Sequence, residues 1–559
     1  MKDELKSFYT AVLLSLVIIF ATNYFFAVPE QEELAAKEPE VAVVKDVEIG
    51  ANEEADAKKD EAEEPVLSAA EVMEENPHVM LENQVISGSI RIKGARIDNL
   101  WLKKYKQTME ENSPDVELLS PAKTKNPYYA EFGWLSSDKS FKLPDANTVW
   151  NVKGKSLSPA APLVLEWDNG EGLRFITKIA LDENYMFTVT QAIENNTDSD
   201  VLLFPYGVIA RKSQQSGLAS VVHEGLIGVF NDKLEEVKYK DLAKKQKEFE
   251  TSGGWFGFSD RYWFSSVILD NNSPAKVKFS NNGEFYQADF VGDAINIASG
   301  STAQSQNLFY AGAKEIKLID NYAKNLNIKK FDLAVDFGWY YFLTKPFFYI
   351  LDYLYNLIGN MGWAILLFAA LLRLAMFPIA NKSYENMAKM KKIQPKLKEL
   401  QEKFAADKVK LQQETLLLYQ KEKINPASGC LPMFIQIPVF FSLYKVLNIA
   451  IEIRQAPFIG WIKDLSAPDP LLISDWTGLP VPSVLNIGVW PIIMGLTMYI
   501  QQKLSPAPTN KDQARAFALM PLIFMFMMGH FASGLVIYWS FSNLLSIIQQ
   551  RAIIIKNKD

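Results

Sequence analysis

Arg373 is the residue in this chain whose placement most demands a chemical explanation. It lies in WAILLFAALLRLAMFPIAN (363–381), and no other charged residue occurs between Asp352 and Lys382. A guanidinium at bilayer depth costs ~2.5–3.5 kcal/mol on insertion scales, so it must reach water or a partner. Two readings are open. Arg373 is eight residues from Asn381, or ~12 Å along a helix, and snorkelling to the interface covers part of that distance. The alternative is a water-filled cavity open to one side of the membrane. Matching depths favours the cavity. Gln436 lies eight residues into the apolar run that starts at Ser428, and Asn543 lies eight residues before Arg551. Three helices then bring three polar groups to one level. No Asp or Glu sits at the centre of any of these runs. That argues against an ion-coupled transporter, whose relay needs an intramembrane carboxylate, and leaves the cation to attract the acidic or polar part of a passing polypeptide.

Other reactive material is scarce. One cysteine, Cys430, excludes an internal disulfide framework and a Cys-based zinc site. His78, His223 and His530 lie far apart in sequence and supply little for histidine-centred catalysis or metal binding. The expectation is a protein that is not an enzyme and holds no metal or cofactor.

The elements that position Arg373 are hidden by average composition. The chain has 559 residues, 48% hydrophobic, with a formal net charge of −7. Residues 29–76 hold 17 acids and 4 lysines, so the remainder is basic. This segment reads as a disordered linker. It follows 8–28, which is 21 uncharged positions and long enough for one crossing, so residues 1–28 are expected to be a retained transmembrane anchor. From 77 to 330, period-two alternation and turn signals such as Asp168-Asn169-Gly170 predict a large antiparallel β-sandwich. Its tryptophans (Trp134, Trp150, Trp167, Trp255, Trp263) suit either core packing or a carbohydrate cleft.

The rest predicts a polytopic α-helical membrane domain. Residues 331–345 read as an amphipathic interfacial helix, and further crossings fall at 346–380, 427–452, 484–502, 516–531 and 535–551, giving six with the anchor. The last two come from 35 positions without formal charge, split at Ala532-Ser533-Gly534. At 16 and 17 residues they reach only ~24–26 Å, so local bilayer thinning is expected. Loop 381–426 reads as a helical hairpin, with 11 lysines against 6 acids over 381–424. Its Lys389, Lys391, Lys392, Lys396 and Lys398 are candidate contacts for anionic headgroups or ribosomal RNA, beyond their role in a solvated positive-inside loop. With loop 503–515 and tail 552–559 also basic and loop 453–483 nearly free of lysine, both termini read as cytoplasmic and the β domain as periplasmic, in a bacterial inner membrane. Met494, Met498, Met520, Met525, Met527 and Met528 suit either an adaptable surface or gap-filling.

Several long strings carry a resemblance: AVDFGWYYFLTKPFFYILDYLY, NKSYENMAKMKKIQPKLKELQEKF, INPASGCLPMFIQIPVFFSLYKVL, IRQAPFIGWIKDLSAPDP and SGLVIYWSFSNLLSIIQQ, with YYAEFGW and GGWFGFSDRYW in the β part. The chain resembles the YidC family of membrane protein insertases over nearly its whole length. That resemblance implies a five-helix core with a groove open to cytoplasm and lipid, beneath a periplasmic super-sandwich similar in fold to sugar-active domains. It places the groove arginine on Arg373, its neighbouring glutamine on Gln436, and the substrate-contacting aromatic of the last helix on Trp539, beside Tyr538. A groove threonine of some relatives is Ala369 here, and the short tail lacks their long basic extension. Nascent membrane proteins, the Sec translocon, membrane lipids and the ribosome are the implied partners, and DNA is not among them. Two other classes remain open: a membrane-anchored sugar-active enzyme, which requires clustered carboxylates or histidines in a cleft of the sandwich, and a transporter or channel.

Overall fold

The computed structural model describes residues 67–138, 140–212, 222–283, 285–405, 407–424, 431–483, 485–506 and 511–556. The expected anchor at 8–28, linker residues 29–66 and Cys430 lie outside these. The end of the expected linker is ordered: helix α1 spans Ala69–Glu75. Ser68 caps it by accepting from the Glu71 N–H, while the Glu71 carboxylate accepts from Ser68 N–H and Oγ at 2.7 and 2.8 Å. Val72 is buried, so one apolar anchor and a capping box outweigh an acidic composition averaged over a longer window.

Seventeen strands, β1 (His78–Glu82) through β17 (Thr302–Ala313), form the next part, and every named pairing is antiparallel. Two long strands carry the chain between layers. The second half of β14 (Trp263–Asn281) pairs with β15 (Phe285–Gly292), and its first half pairs with β17. Its partner β13 (Lys247–Ser259) shifts register between Ser252 and Gly254, where Gly253 and Gly254 take φ of 73° and 96°. Phe132 of β5 (Tyr128–Leu135) meets Phe309 of β17 edge-on at 6.1 Å, closing the sandwich. Trp134, Trp150 and Trp255 are buried in that core, so they line no cleft.

Helices follow: α2 (Tyr239–Leu242) inside the β part, then α3 (Ile316–Asn325), α4 (Tyr341–Ile358), α5 (Met361–Ala375), α6 (Phe377–Lys403), α7 (Lys408–Lys421), α8 (Leu431–Ile449), α9 (Ile473–Thr477), α10 (Val489–Leu504), α11 (Lys511–Met528) and α12 (Ser533–Lys556). The expected interfacial helix at 331–345 takes another form. Residues Phe331–Ala334 make one 3-10 turn, with Phe331 packed on Trp255 and Tyr310, and the helix proper starts at Tyr341. The expected crossing at 346–380 is likewise divided. Gly359 (φ 78°) ends α4, Asn360 caps α5 through the Trp363 N–H, and α5 bends by 68° into α6. Pro378 in the first turn of α6 lacks the N–H that would continue the α5 ladder. The expected turn at 532–534 falls at 529–532, since α12 already begins at Ser533.

Among the described residues no single helix is long and apolar enough to cross a membrane. The bent pair α5–α6 passes that test together, and Phe434–Ile449 and Ala514–Met528 are shorter apolar helices. Buried polar residues lower the apolarity of the longest candidate: α12 turns Ser540, Ser542, Asn543, Ser546 and Gln550 toward its neighbours.

One apolar core runs unbroken from the strands into the helices. Polar bonds reinforce the seam. Arg261 donates to the main-chain and side-chain oxygens of Asn448 at 2.8 and 3.1 Å, and Glu452 accepts from the Ile316 N–H at 3.1 Å. Lys445, the one charge in the α8 run, reaches Asp336 at 2.6 Å. Its stem lies over Gly338 (φ 71°), where a Cβ would come within 2.8 Å of Lys445 Cε.

Two consequences can be measured. Lys445→Ala leaves Asp336 without its cation and should cost about 1–3 kcal/mol in detergent-solubilised protein, below the range of a fully buried pair because both side chains keep some solvent contact. The double variant Lys445→Met with Asp336→Leu should recover part of that loss in thermal unfolding. Burial raises Asp289 to about 6, against ~3.9 in an unfolded chain. Its contribution is therefore fully present below the unfolded value and is lost as pH rises through about 6. Asp289→Asn removes this dependence, so circular dichroism melts should show the variant gaining about 2–3 kcal/mol on its parent between about pH 4 and pH 8.

Candidate functional site

Arg373 leaves α5 one turn before the bend and points at α12. Its Nε and Nη2 donate to Ser542 Oγ at 3.2 and 3.0 Å. Ser542 is buried, while the guanidinium is half-buried. Tyr538, one turn earlier on the same face of α12, accepts from Gln436 Nε2 of α8 at 3.1 Å. Two polar pairs, Arg373–Ser542 and Gln436–Tyr538, thus lie one turn apart along α12 and draw on three helices. Among the described residues no carboxylate lies within 4 Å of the Arg373 guanidinium. The cation is held by a neutral hydroxyl.

The structure separates the remaining candidates from those pairs. Asn543 is buried but faces α10, where its Nδ2 donates to Thr497 Oγ1 at 3.3 Å. Depth matching assigns level and not azimuth, and one residue of helix is about 100° of rotation. Ser542 is the residue this reading missed, and its signal was the i, i+4 spacing from Tyr538. Trp539 packs among aromatics, with Phe440 at 4.8 Å and Phe524 at 5.5 Å. The methionines divide: Met494 and Met528 are buried, whereas Met520 and Met527 are exposed.

The hairpin helices α6 and α7 meet through Ile393, Leu397 and Ile424, with Asp407 capping α7 at the Lys410 N–H. Lys389, Lys391, Lys392, Lys396 and Lys398 are all exposed. Lys391 donates to the carbonyls of Lys503 and Leu504 at the end of α10, and Lys396 pairs with Glu422 at 2.9 Å.

Among the described residues of the β domain, Lys314 and His223 are the groups whose burial most resembles that of reactive side chains. Lys314 donates to Ser259 Oγ at 2.9 Å, both are buried, and burial lowers the lysine to about 8. His223, also lowered by burial, faces the Leu226 carbonyl at 2.9 Å. An open cleft of about 600 Å³ lies elsewhere, lined by Met80, Asn83, Lys103 and Glu183 among others. Among the described residues no group of His, Cys, Asp and Glu could hold a metal. The clustered catalytic groups in a cleft that a sugar-active enzyme needs are not assembled among these residues.

A β-sandwich fused to short apolar helices that share an uncompensated cation has the build of an inner-membrane protein with a periplasmic domain. Residues 78–350 match the model of the YidC periplasmic domain, and 353–559 match that of the 60Kd inner membrane protein. A membrane protein insertase YidC of Beijerinckia indica is 43% identical, with 99% of this chain and 96% of the relative aligned. One of Rickettsia bellii is 42% identical over 98% of this chain and 99% of its own length. A solved YidC insertase structure that includes the first transmembrane domain is similar at 17% identity, covering 85% of this chain and 94% of the other, with a TM-score of 0.35. The chain belongs to the YidC family of membrane protein insertases, which are not enzymes and whose substrates are nascent membrane proteins.

The two polar pairs make a stability prediction separable from activity. Tyr538→Phe removes the acceptor of Gln436 and should cost about 0.5–1.5 kcal/mol, whereas Ser542→Ala strips the guanidinium of its hydroxyl and should cost about 1.5–3 kcal/mol. Chemical unfolding in detergent, with Asn543→Ala as the comparison on the neighbouring face toward α10, checks the order.

Proposed function

We propose that the niche around Arg373 is where this insertase receives the polar part of a client. The observation that carries this is the guanidinium held by Ser542 with no carboxylate of the described residues in ion-pair range. A cation neutralised by the protein has no charge to offer. One bonded only to a hydroxyl keeps its charge and needs water or an acidic client to offset its burial. In this reading Gln436 and Tyr538 extend the hydrated wall, while Trp539 and the exposed Met520 and Met527 meet the apolar part of the client, which leaves sideways into lipid. Asn543 supports α10 rather than the client.

The topology that fits has six crossings, with both termini cytoplasmic and the sandwich periplasmic. The first crossing, 8–28, precedes the described residues, and the others are built on α5, α8, α10, α11 and α12. The last two helices are longer than expected, 18 residues in α11 and 24 in α12, so the short helices that support a thinned crossing are α5 with 15 residues and α10 with 16, which rise only about 22–24 Å against a ~30 Å hydrocarbon core. The exposed hairpin lysines Lys389, Lys392 and Lys398 then face anionic headgroups or ribosomal RNA on the cytoplasmic side, and the Sec translocon is a further partner for clients with large exported domains.

Insertion of a single-span substrate with an acidic exported tail, into vesicles carrying purified protein, tests the mechanism. Arg373→Glu should reduce insertion at least about tenfold, equivalent to ~1.4 kcal/mol or more, and Arg373→Lys should retain a substantial part. A substrate without tail charges should respond far less to either change. Equal insertion by Arg373→Glu and the parent would falsify charge attraction as the mechanism.

A further inference from the structure

Residues 454–488 carry no long helix, yet they are held firmly. The carbonyls of Leu465 and Ala467 accept from the N–H groups of Gly534 and Ser533 at 3.0 and 2.7 Å, satisfying the first donors of α12. The buried Asp469 carboxylate accepts from the Trp490 N–H at 2.7 Å, the Leu471 N–H at 3.1 Å and Trp461 Nε1 at 2.9 Å. Gly488 makes room for it, since a Cβ there would lie 2.4 Å from that of Asp469.

Within this frame residues 473–483 and 485–487 form a finger stapled at its base. The Ile473 N–H donates to the Ile487 carbonyl at 3.1 Å, the Ser474 N–H donates to Asn486 Oδ1 at 3.0 Å, and Asn486 Nδ2 returns a bond to Ser474 Oγ at 2.9 Å. Helix α9 makes one side of the finger, and Gly478 (φ 68°) ends it. The tip is apolar: Trp476 is 58% exposed, Leu479 64% and Leu485 46%. The finger's one charged residue, Asp475, turns back to accept from the Leu472 N–H at 2.9 Å. A stapled finger that keeps tryptophan and leucine in the open has the form of a contact surface.

Lipid is the partner that fits. The same segment supplies Phe458, whose ring meets that of Trp363 at 5.6 Å. Phe458 is buried and seats the segment on the first turn of α5, where Trp363 is exposed on the flank of a proposed crossing, and Ile459 and Trp461 of the same segment are exposed as well. Tryptophan at such a level is the side chain that settles between headgroups and acyl chains. We propose that the finger is an outer-leaflet anchor. Trp476, Leu479 and Leu485 enter the headgroup boundary, and through Asp469, Ser533 and Gly534 they fix the depth of the outer ends of α10 and α12. This inference rests on the periplasmic placement of the segment proposed above.

A nitroxide on Leu479→Cys, in a Cys430→Ser background, tests it in vesicles of phosphatidylethanolamine and phosphatidylglycerol. Collision rates with oxygen and with a nickel chelate should place the label about 5–10 Å below the headgroup surface. Labels on Leu374→Cys in α5 and on Met109→Cys in the β domain serve as lipid and aqueous references. Trp476 is read without a label, as the difference in quenching by brominated lipids between the parent and Trp476→Phe, and it should report the same depth. A label at 479 as open to the chelate as one at 109 overturns the anchor. Protection seen in native membranes but lost in pure-lipid vesicles also overturns it, because the tip would then belong to a protein partner. Sidedness is read apart, by reaction of Met109→Cys with an impermeant maleimide in spheroplasts. No reaction there overturns the outer-leaflet assignment together with the proposed topology, whereas an aqueous 479 beside a reactive 109 overturns the anchor alone.

Discussion

A guanidinium among apolar helices must be compensated, and the manner of its compensation organises the helical half of this protein. Pairing Arg373 with a carboxylate would have given a quiet, neutral core. Instead the structure gives it the hydroxyl of Ser542, with the neutral pair Tyr538–Gln436 one turn away. Hydroxyls and amides stabilise a cation while leaving its field intact, so α8 and α12, which supply them, and α5, which carries the arginine, surround a site that keeps its positive charge. Holding that arrangement needs helices that do not slide. The seam with the β domain contributes this rigidity at the ends of α4 and α8, through Lys445–Asp336, Arg261–Asn448 and Glu452.

Much of this was legible in the residues, because it follows from chemistry that is hard to disguise. An arginine in a run of leucines is visible without coordinates, and so is the lack of an acid to meet it. Alternation over 77–330 announced the sandwich. What the chain did not disclose is orientation around helix axes. Asn543 and Ser542 are adjacent, both polar and at one depth, yet only one faces Arg373. Choosing between them needs the rotation of α12, which is set by packing against α10 and α5 rather than by anything local.

Boundaries failed for a related reason. Tyr341–Ile358 is a single helix because Asp336 and Gly338 are engaged by Lys445, a residue more than a hundred positions away. Alone, the stretch 331–345 has the aromatic, amphipathic look of a helix; in place, its first residues are drawn into the β domain's core by Trp255 and Tyr310. The acidic segment before the sandwich erred in the opposite direction, since composition described its bulk and missed the capped turn at its end.

The 68° break between α5 and α6 has a mechanical consequence. Arg373 stands one turn before Met376, and the long arm of α6 extends from Met376 to the lysine-rich hairpin. Such an arm is a crank. A sideways load at its far end is delivered to the pivot as torque on the last turn of α5, which is the turn that carries the guanidinium. The hairpin and the niche are thus joined through one bent pair of helices, and the angle at that bend relates the lysine-rich arm to the turn that presents the charge.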